Sequence, residues 1–153
     1  MSKTAAYTAG MTDAGITEAP SPEHLAERLE AADILPTHQR VEIARVLFTG
    51  EQHLSADQVL ARVNEEEAHV SKATVYNTLN LFARKGLIRE VIVDPSRVFY
   101  DTNSGPHHHF YNVDTGELHD IPDDLVRFSE LPPLPEGTRS ESIELLIRIR
   151  GDN

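Results

Sequence analysis

The chain has 153 residues, a formal net charge of −11, and neither Cys nor Trp. The lack of thiols excludes disulfides, thiolate zinc sites and thiol redox sensing. No apolar run approaches the ~20 residues of a membrane span and no signal-peptide core opens the chain, so a cytoplasmic protein is expected. An acidic chain is also a poor non-specific binder of nucleic acid, which makes the placement of its basic residues decisive.

Residues 1–20 are small and polar without an apolar period and predict a flexible arm. Ser21 and Pro22 form an N-cap and first helical position ahead of Leu25, Leu29 and Ala32. A second helix is predicted from Thr37 through Val41, Ile43, Ala44, Val46 and Leu47 to a stop at Gly50. A third starts at Ser55, which with Gln58 makes a capping box, and carries Val59, Leu60 and Val63. The fourth begins at Ser71, buries Val75, Leu79 and Phe82, and stops at Lys85-Gly86.

Beyond Gly86 the period changes to alternation. LIREVIVD and RVFYDT flank Pro95-Ser96 as a hairpin, so residues 21–104 predict a winged helix-turn-helix domain. Residues 105–153 predict a small α/β unit: strand HHHFYNV, a turn at Asp114-Thr115-Gly116, strand ELHDI, a helical patch near Asp123 to Phe128, a proline-rich loop and strand ESIELLIRIR. The class is α+β. The last strand places Ile143, Leu145, Ile147 and Ile149 on one apolar face, for which a second subunit is the expected cover.

Two stretches carry chemistry. Between Val70 and Arg89 stand Lys72, Arg84, Lys85 and Arg89 and no acid, although Asp and Glu outnumber Lys and Arg by 25 to 14 in the whole chain. That reversal is the footprint of a phosphate-facing helix. Away from its core stripe lie Ala73, Asn77, Asn80 and Arg84, with Tyr76 at the border; amides read adenine edges, and Ala73 and Tyr76 meet thymine methyls, which points to an A·T-rich site. Thr74 and Arg40 complete the DNA-binding candidates. The second stretch is GPHHHFY: on a strand His107 and His109 share one face and His108 takes the other.

In order and spacing, ILPTHQRVEIARVLF, HLSADQVLARV, SKATVYNTLNLFARKGLIRE and DTNSGPHHHF resemble the ferric uptake regulator family of bacterial metal-responsive repressors over about residues 21–150. Asn77 after Tyr76 and the HHH run are most similar to its iron response regulator branch, which senses haem. The resemblance implies a homodimeric transcriptional regulator of iron and haem metabolism genes, with an N-terminal winged helix, a C-terminal dimerisation and sensing domain, and an A·T-rich inverted-repeat operator. It implies a divalent metal held by His53, Asp101, His107, His109 and Asp120, a mixed N/O set suited to Fe, Mn or Zn. The Cys-x-x-Cys of many members falls here on Asn112 and Thr115, so that structural zinc has no ligands; of a second family site only His108 remains, because Pro106 and Arg127 hold two ligand positions. Haem is then expected on His108, with His107 and His109 as the other candidates. His24, His38, His69 and His119 fit no site and are expected at the surface, and Glu65-Glu66-Glu67 as a solvated helix end.

The main alternative is a family member that senses Mn, Fe or Zn directly without haem. A non-haem iron enzyme is the remote one: two His and a carboxylate suit it, but some 50 residues after the wing cannot build its barrel. A plain protein-interaction module leaves the acid-free helix without a purpose. The chain is therefore read as a regulator and not an enzyme.

Overall fold

The computed structural model describes residues 19–50 and 52–152, so the arm expected over residues 1–20 lies outside them except for its last two residues. In chain order the elements are α1 (Pro22–Ala31), α2 (His38–Leu47), β1 (His53–Ser55), α3 (Ala56–Val63), α4 (Lys72–Arg84), β2 (Arg89–Asp94), β3 (Arg97–Asp101), β4 (His107–Asn112), β5 (Leu118–Pro122), a 3-10 turn (Asp123–Leu125) and β6 (Leu146–Ile149).

All four helices begin where the sequence places them. Ser21, Thr37, Ser55 and Ser71 are in extended backbone, and each hydroxyl accepts from the N–H three residues on, meeting a donor that a helix start leaves unsatisfied. At Ser55 the Gln58 side chain returns the bond, completing the capping box. Helices of 8 to 13 residues do not persist alone; burial of Leu25, Leu29, Ile43, Leu47, Val59, Val75, Leu79 and Phe82 in one core holds them together. Gly86, at φ 74°, ends α4 in a conformation that a side chain would strain.

Two three-stranded sheets follow, one ordered β1-β3-β2 and the other β5-β4-β6. The first is antiparallel, with the wing turn fixed by Asp94, which accepts from both the N–H and the hydroxyl of Ser96. In the second, β4 and β5 form an antiparallel hairpin and β6 joins β4 in parallel. This is a winged helix followed by a small three-stranded sheet with a single 3-10 turn, within the expected α+β class. The wing lies on the second sheet: Val91 and Val93 pack with Tyr111 and Leu118. Arg89 pairs with Glu144 at 3.0 Å, Arg148 donates to the Val93 carbonyl, and Arg97 donates to the Tyr111 hydroxyl.

Three details differ from expectation. β1 is a strand the sequence reading does not contain. The helical patch near Asp123 to Phe128 contracts to the single 3-10 turn. The final strand begins only at Leu146, because the Leu145 N–H donates to His108 Nδ1 at 2.9 Å instead of to a neighbouring strand. Leu145 is half-buried, while Ile143, Ile147 and Ile149 remain exposed.

Candidate metal centre and DNA-facing helix

Strand register assembles the centre. His53 on β1 is the direct cross-strand partner of Asp101 on β3, and His109 on β4 is that of Asp120 on β5. His107 lies two residues before His109 on the same face, with ring centroids 4.5 Å apart. The five predicted ligands therefore converge, their ligating atoms all within 4.8 Å of one another.

The contacts have one pattern. Asp101 Oδ2 lies 3.1, 2.6 and 2.9 Å from the Nε2 atoms of His53, His107 and His109. Asp120 Oδ1 lies 2.8, 3.3 and 3.3 Å from the same three. Adjacent ligands on a metal with bonds of about 2.1 Å stand about 3 Å apart, so the spacing is that of a coordination shell. The donor chemistry agrees. His107 Nδ1–H donates to the Gly105 carbonyl at 2.6 Å, so in the neutral ring a bare Nε2 faces Asp101 Oδ2. Two lone pairs at 2.6 Å repel unless a proton or a cation lies between them. The residues fit a divalent ion, bound as neutral imidazoles and carboxylates.

Without such an ion, protons do its work. Burial alone would lower the His53 pKa, but hydrogen bonds to Asp101 and Asp120 outweigh it and push it up to about 9; His109 is raised in the same way. Burial would raise Asp101, yet His109, His53 and the Asn103 N–H hold it well below the usual carboxylate range. Asp120 is lowered against its burial by His109, His53 and Gln52.

The sequence reading missed Gln52. Its side-chain amide reaches Asp101 Oδ1 at 2.7 Å and Asp120 Oδ2 at 2.6 Å, the two carboxylate oxygens turned away from the imidazoles. Adjacency to His53 is the only signal the sequence holds for it.

His108 stands on the opposite face, as alternation requires, but it is not free. Its ring is buried, Nδ1 accepts from Leu145 N–H, and Nε2–H therefore donates to Asp123 Oδ1 at 3.1 Å; Phe128 packs edge-on 6.0 Å away. Both nitrogens are used within the fold, so His108 as placed offers no lone pair to haem iron, contrary to what the lone position on that face promised.

On α4, Lys72, Ala73, Asn77, Asn80 and Arg84 are exposed, opposite buried Val75, Leu79 and Phe82. Thr74 and Tyr76 are half-buried. Thr74 Oγ1 accepts from Ser71, and the Tyr76 hydroxyl donates to Asp57 of α3 at 3.0 Å. Asp57 thus brings an acid to a surface that is acid-free along its own segment. Arg40 lies on α2 with its guanidinium on the Leu35 carbonyl, 3.0 Å away. His24, His38, His69 and His119 are exposed, as are Glu65 to Glu67 beyond the end of α3.

Residues 32–146 match the model of the ferric uptake regulator family, and the chain belongs to that family. The peroxide-responsive repressor PerR of Staphylococcus aureus strain Mu50 is 31% identical over 93 residues, 61% of this chain and 63% of the relative. The chain thus spans about 63% of the length of the curated relatives it matches. The ferric uptake regulator of Pseudomonas aeruginosa, solved with manganese, is similar at 27% identity and TM-score 0.63, covering 83% of this chain and 97% of that one. That of Vibrio cholerae, at 20% identity and TM-score 0.64 over 82% and 98%, shares the fold. These relatives are regulators rather than enzymes, in agreement with the non-enzymatic reading. Among the described residues no helix is long and apolar enough to cross a membrane.

Proposed function

We propose that this protein is a divalent-metal-responsive transcription regulator that binds an A·T-rich inverted repeat as a homodimer. The observation that carries the reading is the origin of the five ligands. His53 and Asp101 belong to the winged-helix part, and His107, His109 and Asp120 to the part that follows, so one ion fixes both against each other. Manganese, iron or zinc at this centre sets the attitude of α4, which presents Lys72, Asn77, Asn80 and Arg84 to DNA, while Tyr76, Thr74, Ala73 and Arg40 border the contact. The exposed Ile143, Ile147 and Ile149, with half-buried Leu145, are the natural dimer face.

Haem sensing of the iron response regulator type is supported by the Tyr76-Asn77 pair and the HHH run, but ligation by His108 requires its ring to abandon Asp123 and Leu145, and ligation by His107 or His109 draws on the metal cluster. Direct metal sensing requires no rearrangement, and we assign the response to the metal. The test is fluorescence anisotropy of an A·T-rich inverted-repeat duplex with chelated protein, with added Mn(II), and with the His109→Ala variant. The reading expects metal-dependent binding that the variant loses. Equal affinity with and without metal, or with and without His109, would sink it.

A further inference from the structure

We infer that Gln52 sets the coordination mode of the metal centre by holding both ligand carboxylates monodentate; the inference rests on the metal reading above. A side-chain amide has two N–H hydrogens. At Gln52 both are spent on carboxylates, on Asp101 Oδ1 and Asp120 Oδ2. The 3.4 Å approach of the same nitrogen to His53 Nε2 has no hydrogen left to make a bond. Each aspartate is thereby divided: one oxygen faces the three imidazoles, and the other is tied back to the amide. Bidentate chelation needs both oxygens of a carboxylate on the ion, and the Gln52 bonds oppose that rotation at both aspartates together. Asp101 has a further restraint, since its Oδ1 also accepts from the Asn103 N–H at 2.9 Å, whereas Asp120 is half-exposed and its Oδ2 is held by Gln52.

The protein would then supply three nitrogens and two oxygens, one from each of the five residues, to a bound ion. Gln52 also aligns the carboxylates before the ion arrives, so the ion need not order them. Gln52 is a positioning residue: it touches the ligands and not the metal. Groups that orient metal ligands change affinity by about 10- to 100-fold when removed.

The experiment uses the full chain, stripped with chelator and reloaded with Mn(II) or Fe(II), as wild type, Gln52→Leu, Gln52→Ala and His109→Ala. Mn(II) affinity is read by electron paramagnetic resonance of free ion, coordination number by X-ray absorption of the Fe(II) form, and folding by melting in chelator. Both Gln52 variants are expected to bind Mn(II) about 10- to 100-fold more weakly, and the shell to gain an oxygen as Asp120 turns bidentate. A merely structural role would lower the melting temperature without changing coordination number, and that result overturns the inference. So do Gln52 variants with affinities within twofold of wild type. If His109→Ala loses the metal while Gln52→Leu and Gln52→Ala keep wild-type binding, the centre stands and only the role of Gln52 falls. If His109→Ala binds as wild type does, the metal centre itself is wrong.

Discussion

The metal-free protein should lose stability as pH rises through the range in which it is usually handled. His53 is raised from 6.5 to about 9 by its two aspartates, and a group whose pKa is higher in the folded state stabilises the fold by binding its proton there more tightly. That contribution is fully present below pH 6.5 and is lost as pH climbs through about 9. The His53 side chain is only 13% exposed, so solvent screening is small. The shift corresponds to about 3 kcal/mol, which at about 2–4 °C per kcal/mol for a chain of this size is about 6–12 °C in melting temperature. The assay is a melt in chelator at half-unit steps from pH 6 to 9.5. Asp101→Asn keeps the shape but removes one of the two charges on His53, so it should melt lower at pH 7 and show a shallower slope. With Mn(II) bound, His53 is a neutral ligand and the slope should vanish; metal uptake at pH 7 should release a proton. A metal-free protein whose melting temperature is flat from pH 6.5 to 9.5, or a variant with the same slope, would refute the account of the centre as a proton-held cluster.

The remaining predictions concern the other faces. His108→Ala should cost about 1–3 kcal/mol, because the part-buried Leu145 N–H loses its acceptor, yet leave Mn(II) stoichiometry unchanged; a Soret band of added haem that depended on His108 would restore the haem assignment. Ile147→Glu, on the exposed face of β6, should convert a dimer into monomer and abolish operator binding together, as read by sedimentation and gel shift. Arg84→Ala should weaken all DNA sites and flatten the salt dependence, whereas Asn77→Ala should lose about 1–3 kcal/mol of discrimination at one base pair. Parallel losses on matched and mismatched duplexes would show that the two residues do not divide the work.

Legibility in the sequence followed the range of the interaction. The four helix starts are three-residue signals, a hydroxyl and the N–H it caps, and were readable at Ser21, Thr37, Ser55 and Ser71. The alternation that separates His108 from His107 and His109 is equally local. β1 was not readable, because its last residue doubles as the cap of α3 and its pairing partner is the distant β3. The late start of β6 depends on a bond between His108 and Leu145, 37 residues apart, which no window of sequence contains. Asp101, Asp120 and His53 were placed by family spacing; strand register then supplies the physical reason they meet. Gln52 escaped because its role lies in the oxygens the metal does not use.

The docking of the wing onto the second sheet turns the molecule into a lever. Asp101 lies opposite Arg89 in β2, and Val91 and Val93, which grip Tyr111 and Leu118, follow two and four residues on, about 7 and 13 Å along the strand. The two halves thus meet at the five-residue His/Asp cluster and at an apolar contact some distance from it. An ion withdrawn from that cluster would leave the apolar contact in place as a pivot. A slip of about 1 Å at the cluster end of an arm of about 10 Å would be a rotation of about 6° of the half that carries α4.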